Sequence, residues 1–148
     1  MKKLFLILPL LLVLISISSF AGTTPADEEK ARTAFTKQFP GASNVKWTTT
    51  EEGYLKATFL WVEHQTVAYY DENANFLGSA RGLFYTQLPL MVVKSINDRF
   101  EDGVIIHVME ISNQDGVFYL IALEQKDYKY KVRINSSGDF IQVNREKL

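Results

Sequence analysis

His64 and His107 are the only imidazoles in the chain, and no cysteine accompanies them. Nucleophilic catalysis needs a Ser, Thr or Cys beside a base, and the Gly-x-Ser-x-Gly turn that would expose a serine is missing. Both histidines fall on or beside strand-like stretches among ordinary neighbours, so a structural or surface role is expected of each. Metal binding has no better basis: His107 and Glu110 are three apart, which on a strand sends them to opposite faces, and Glu63 and His64 diverge likewise. The run Asp71-Glu72-Asn73-Ala74-Asn75 repeats side-chain oxygens as a calcium loop does. Its sixth position is Phe76 where Gly is wanted, however, and its twelfth is Gly82 where a bidentate Glu is wanted, so it reads as a hairpin turn. Glu51-Glu52, Asp71-Glu72 and Glu101-Asp102 pair carboxylates as acid–base chemistry requires, but all three fall in turns. With no glycine-rich phosphate loop either, the sequence predicts no catalytic residue, no metal site and no cofactor, and hence a protein that is not an enzyme.

Aromatic surface is what remains. Tyr54, Trp61, Tyr69, Tyr70, Phe84, Tyr85, Tyr119, Tyr128 and Tyr130 exceed what two short helices can cover, because each sheet face hides only alternate residues. Any one of them suits core or half-buried packing. Together they predict an aromatic-rich open face, of the kind that marks a binding site. The candidate partner-binding residues are Trp61, Tyr69, Tyr85, Tyr128 and Tyr130.

The elements that would position them divide at Pro40-Gly41. Before it, Ala31, Phe35 and Phe39 recur at i, i+4, i+8, and Pro25 with Asp27, Glu28 and Glu29 suits a helix start after a Thr24 cap, giving a helix over 25–38. After it the period becomes two. Val45 and Trp47 face Leu55, Ala57 and Phe59 if Glu51-Glu52-Gly53 is the loop of a hairpin in which Thr50 opposes Tyr54. Strands follow near 65–70 and 76–80, then a second helix opening at Leu88-Pro89 and running to about Phe100. Four more strands lie near 104–111, 117–124, 128–134 and 139–143. In the third of these Tyr128, Tyr130, Val132 and Ile134 alternate with Lys129, Lys131 and Arg133, so one face of it is wet.

The pattern occurs twice. A shift of 61 carries Ala31, Phe35 and Phe39 onto Val92, Ile96 and Phe100, and Val45 and Trp47 onto Ile106 and Val108. Later landmarks drift to 64, as turns absorb small length changes. The expected fold is α+β: a tandem repeat of one helix plus four antiparallel strands, about 24–82 and 87–146, forming one eight-stranded antiparallel sheet with both helices on one face. The other face would be open and curved by sheet twist.

Residues 1–21 carry Lys2-Lys3, an apolar run and a small-residue end at Ala21, the pattern of a secretory signal peptide cleaved after Ala21. The apolar run is shorter than the roughly 20 residues a membrane span requires. Residues 22–148 would then form a single domain in the periplasm or beyond, with 14 basic and 17 acidic residues of the 16 and 17 in the whole chain. That balance argues against a nucleic-acid partner, which needs clustered cations.

Phe39-Pro40-Gly41-Ala42 with Val45 and Trp47, Gly53-Tyr54 with Ala57 and Phe59, Tyr70-Asp71 before Phe76, and Leu88-Pro89 together resemble the β-lactamase-inhibitor-like, PepSY-like family of secreted Gram-negative bacterial proteins. The resemblance covers essentially the whole of 22–148 and rests on structural positions. It implies a tandem α/β repeat like the β-lactamase inhibitor protein, in which the sheet face and hairpin loops clamp an enzyme. No residue here matches those contacts by motif, and the cysteines of the inhibitor are missing. The function expected is a non-enzymatic periplasmic module that binds an envelope protein or peptide through the open sheet face and hairpin tips. The alternative is a carrier of a small apolar ligand in a cavity between sheet and helices.

Overall fold

The computed structural model describes residues 25–148; the expected signal peptide and the Thr24 cap lie outside them. Helix α1 (Pro25–Gln38) has Asp27 and Glu28 in its first turn and Lys37 in its last, each complementing the helix dipole. It ends where Gly41 takes φ +79°. Four strands follow, β1 (Ser43–Thr49), β2 (Leu55–Trp61), β3 (His64–Tyr70) and β4 (Phe76–Gly82). A 3-10 turn at Tyr85–Gln87 leads into α2 (Leu90–Arg99), and β5 (Val104–Asn113), β6 (Gly116–Gln125), β7 (Tyr128–Asn135) and β8 (Phe140–Lys147) complete the chain. The second helix therefore starts slightly later than expected at Leu88-Pro89. The intervening turn is closed by the Phe84 N–H donating to Gln87 Oε1 at 2.8 Å, a bond between residues three apart that no hydrophobic periodicity reports.

The strands form one antiparallel sheet in the order β1 to β8, each paired with its neighbours in sequence. Directly opposed residues share a face, so the registers trace rows across it. Phe59, Thr66, Arg81, Glu110, Tyr119 and Ile134 make one row on the helix side. Both helices pack on that side, each over its own apolar cluster. Ala31, Phe35 and Phe39 meet Leu55, Ala57, Phe59, Ala68 and Tyr70. Leu88, Val92, Ile96 and Phe100 meet Val108, Tyr119, Ile121, Leu123, Val132 and Ile134. Every helix position matched by the shift of 61 is buried in both copies.

The two halves also share their irregularities. Register breaks occur in β1 between Ser43 and Lys46 and in β5 between Ile105 and His107. Val45 and Ile106 sit at these bulges, 37% and 50% exposed. Val45 was expected beside Trp47 on the core side, and the bulge corrects this, since one extra residue reverses the alternation. The β3–β4 and β7–β8 turns are likewise built alike. Asp71 Oδ1 accepts from the N–H groups of Asn73 and Asn75, as Asn135 Oδ1 does from Ser137 and Asp139. The Asp71 oxygens thus serve their own turn, Oδ2 accepting from the Asn75 side-chain amide, and that bond first of all holds the carboxyl below its usual range. This is a turn, as its composition indicated. β8 runs to Lys147, four residues past the expected end, because its polar residues pair along β7 without needing a core face.

Tyr70 is fully buried, with its hydroxyl donating to Gln38 Oε1 at 3.3 Å. Burial pushes its pKa up from 10.0 to about 12. The folded protein thus holds this proton where the unfolded chain has released it. The contribution to stability is complete below pH 10 and is lost as pH rises through 12, on the order of 2–3 kcal/mol across that window. Denaturant titrations of the wild type and Tyr70→Phe between pH 9 and pH 12 should show the wild type losing this increment more than the variant. Parallel pH dependences would exclude it.

Candidate functional site

The sheet face opposite the helices bears no element of the described chain, and small residues decide its shape. On β4 the open-face positions are Gly78, Ala80 and Gly82, so the strand forms a valley floor. Its walls are Tyr69 and Val67 on β3, opposite Gly78 and Ala80, and Asn113, Ile111 and Met109 on β5. A Cβ on Gly78 would lie 3.0 Å from the Ser112 carbonyl oxygen, whereas one on Gly82 would meet nothing within 4 Å. The first glycine is needed for strand packing, and the second leaves open space. At one end of the valley Tyr54, Tyr69, Leu77, Ala80 and Ile111 line an apolar depression of about 360 Å³.

A second depression, of about 310 Å³, lies over β5–β8. Two adjacent rows build it: His107, Ala122, Lys131 and Asn144 in one, Met109, Leu120, Arg133 and Gln142 in the other. Ala122, between the longer His107 and Lys131, makes the hollow. The Arg133 guanidinium carbon lies over the Phe118 ring, 3.8 Å from its centroid, a contact suited to a planar, delocalised cation.

Of the five aromatics expected to bind a partner, Tyr69 stands on this face, with Lys56 Nζ 6.0 Å from its ring. The other four stand on the helix side. Trp61 packs edge-on against Phe39 at 5.2 Å and donates its indole N–H to the Pro40 carbonyl. The Tyr85 hydroxyl reaches Asn97 Oδ1 at 2.8 Å, and burial raises its pKa. Tyr130 lies 5.0 Å from Phe100, and Tyr128 stacks beside it under Arg145. These four fasten the helices and the sheet end. Alternation identifies the two residue sets of a strand without saying which set the helices cover. The informative signal was the alternation of small residues in Gly78-Ser79-Ala80-Arg81-Gly82, since a strand stripped of side chains on one face leaves backbone for a ligand to approach.

The histidines lie on opposite faces and cannot act together. His64 Nε2 is 3.1 Å from the Gln87 side-chain amide on the helix side, and His107 borders the second depression. Among the described residues no three His, Cys, Asp or Glu are grouped to hold a metal ion, and no helix is long and apolar enough to cross a membrane. At the C-terminal end of α1 a recess of about 270 Å³ mixes the rings of Phe39, Trp61 and Phe76 with the Arg81–Glu110 ion pair at 2.8 Å. Beside it Tyr119 has its pKa raised by burial and then by the Glu110 charge. Its chemistry is that of a polar seam joining two apolar cores, unlike the apolar cavity a lipid-like ligand would need.

Solved structures share this architecture. A BLIP-like protein from Bacteroides fragilis superposes with a TM-score of 0.72 at 19% identity, over 81% of this chain and 86% of its own. A DUF2874 family protein from Bacteroides uniformis gives 0.69 at 18% identity, over 78% and 87%. A protein from Bacteroides eggerthii, provisionally described as periplasmic, gives 0.68 at 17% identity, over 79% and 87%. No family model and no curated protein matches the sequence. The shared property is the fold, BLIP-like, with an open eight-stranded sheet and two helices.

Proposed function

We propose that the protein is a non-enzymatic binding module of the bacterial envelope that holds a protein or peptide segment along the open sheet face. The observation that carries this reading is the β4 valley. Gly78, Ala80 and Gly82 expose backbone between walls formed by Tyr69, Val67, Ile111 and Met109, an apolar surface that no part of the described chain covers. Half-exposed apolar side chains next to bare backbone suit an extended segment, which gains apolar contact while the sheet supplies a rigid platform. The BLIP-like fold of the neighbours and the provisional periplasmic description of one of them support the same assignment. So does the leader pattern of residues 1–21, whose removal would release 22–148 as one domain in the periplasm. The PepSY-like resemblance belongs to this reading as well.

Ala80→Arg would fill the valley from a position that leaves the core side untouched. Capture of partners from envelope extract should fall by about 100-fold, as expected for blocking the centre of an interface, while thermal unfolding stays within a few degrees of wild type. Tyr69→Ala should weaken capture less. The same proteins captured equally by wild type and both variants would rule the face out.

A further inference from the structure

We propose that the β5–β8 depression is a carboxylate-recognition subsite, so that the segment held along the face is acidic; this rests on the open-face reading above. Four observations converge. First, His107, Lys131 and Arg133 are among the residues that line the depression, and neither row that builds it contains a carboxylate.

Second, Lys131 and Arg133 make no ion pair among the described residues, although carboxylates stand one row away. Glu124 and Glu146 oppose Lys129 from both sides and leave the depression itself cationic. Third, Arg133 Nε is sealed from solvent and has no hydrogen-bond partner. The terminal nitrogens of the guanidinium make no hydrogen bond among the described residues either, and a charge-assisted bond to a carboxylate is the strongest such a group can form. The contact with Phe118 already holds the group in place, so little ordering entropy remains to be lost on binding.

Fourth, the floor is apolar, from Leu120 and Ala122, and Gln142 Nε2 and Asn144 Oδ1 are joined at 3.2 Å along the rim. This combination fits an acidic side chain carried on an apolar strand. A basic segment would add like charge beside Lys131 and Arg133, and a neutral one would leave the guanidinium unmatched. Nucleic acid is disfavoured, because two unpaired cations and an imidazole cannot neutralise a run of phosphates.

The test uses three N-acetylated, C-amidated nonapeptides that alternate Val and Phe with Asp, Asn or Lys. Each is titrated into 15N-labelled protein recovered from cells expressing the full chain. The Asp peptide should shift the Arg133 Nε–H resonance and bind about tenfold more tightly than the Asn peptide, with the Lys peptide weakest and the preference shrinking in high salt. Lys131→Glu, an exposed change, should remove the Asp preference, bringing the Asp- and Asn-peptide affinities together, and Arg133→Gln should do the same. Ala80→Arg should abolish binding of both peptides.

Equal binding of the Asp and Asn peptides, lost in Ala80→Arg, would overturn the carboxylate subsite and leave the open-face reading standing. Shifts confined to the helix side would overturn both. If 3-phenylpropionate alone bound as tightly as the Asp peptide, the site would belong to a small carboxylate and the proposal of an acidic segment would fall.

Discussion

Replacing Phe59 by alanine is expected to lower the free energy of unfolding by about 3–5 kcal/mol. Phe59 is 1% exposed and sits where α1 meets β2, its ring 4.7 Å from Phe35 at an interplanar angle of 88° and 4.8 Å from Phe39. These aromatic contacts add to the area term. The surroundings cannot close the void: Ala31, Ala57 and Ala68 line the same cluster, are completely buried, and have no side-chain length to move inward. With no disulfide as a staple, and a typical domain stability of about 5–15 kcal/mol, the loss would take a large share of the total. Urea unfolding of the purified variant measures it. A cost below about 1 kcal/mol would mean that the first helix is not packed as described.

Gly138→Ala should cost about 2–4 kcal/mol, for a reason its sequence neighbourhood does not reveal. Gly138 closes the β7–β8 turn with φ +88°, and a Cβ there would lie 2.6 Å from Ser95 Oγ and 2.7 Å from the Met91 carbonyl oxygen. The equivalent position of the β3–β4 turn is Ala74, with φ +66°. The same turn therefore tolerates an alanine, and left-handed strain alone accounts for the smaller part of the cost. The remainder comes from α2, whose backbone approaches the turn so closely that only hydrogen fits. Denaturant midpoints of Gly138→Ala and Ala74→Gly measured together separate the two terms. If Gly138→Ala cost no more than Ala74→Gly changes stability in either direction, the close approach of α2 would be refuted.

Neither substitution touches the open face, so both also bear on function. A variant that unfolds loses partner capture indirectly, whereas Ala80→Arg should lose it, and Lys131→Glu should weaken it, with the core intact. That contrast separates a binding surface from a folding requirement.

The chain by itself determined the order and type of the elements. Helix periodicity in Ala31, Phe35, Phe39 and again in Val92, Ile96, Phe100 reflects local geometry, and so does the alternation of Tyr128, Tyr130, Val132 and Ile134 against three cations. Such spacing is legible because side-chain direction follows backbone dihedrals residue by residue. The hairpin register around Glu51-Glu52-Gly53 was legible for the same reason: Thr49 opposes Leu55, and the Thr50 N–H meets the Tyr54 carbonyl at 2.9 Å. Tertiary structure alone decided which alternating set faces the helices. That choice put Trp61, Tyr85, Tyr128 and Tyr130 on the packed side and left Tyr69 on the open one. It also decided that bulges would turn Val45 and Ile106 outward, since one extra residue changes the phase of everything beyond it. The valley and the cationic hollow were settled in the same way. Gly78, Ala80 and Ala122 matter through what stands beside them on neighbouring strands, and adjacency across a sheet joins residues such as Ala80 and Ile111 that sequence spacing keeps far apart.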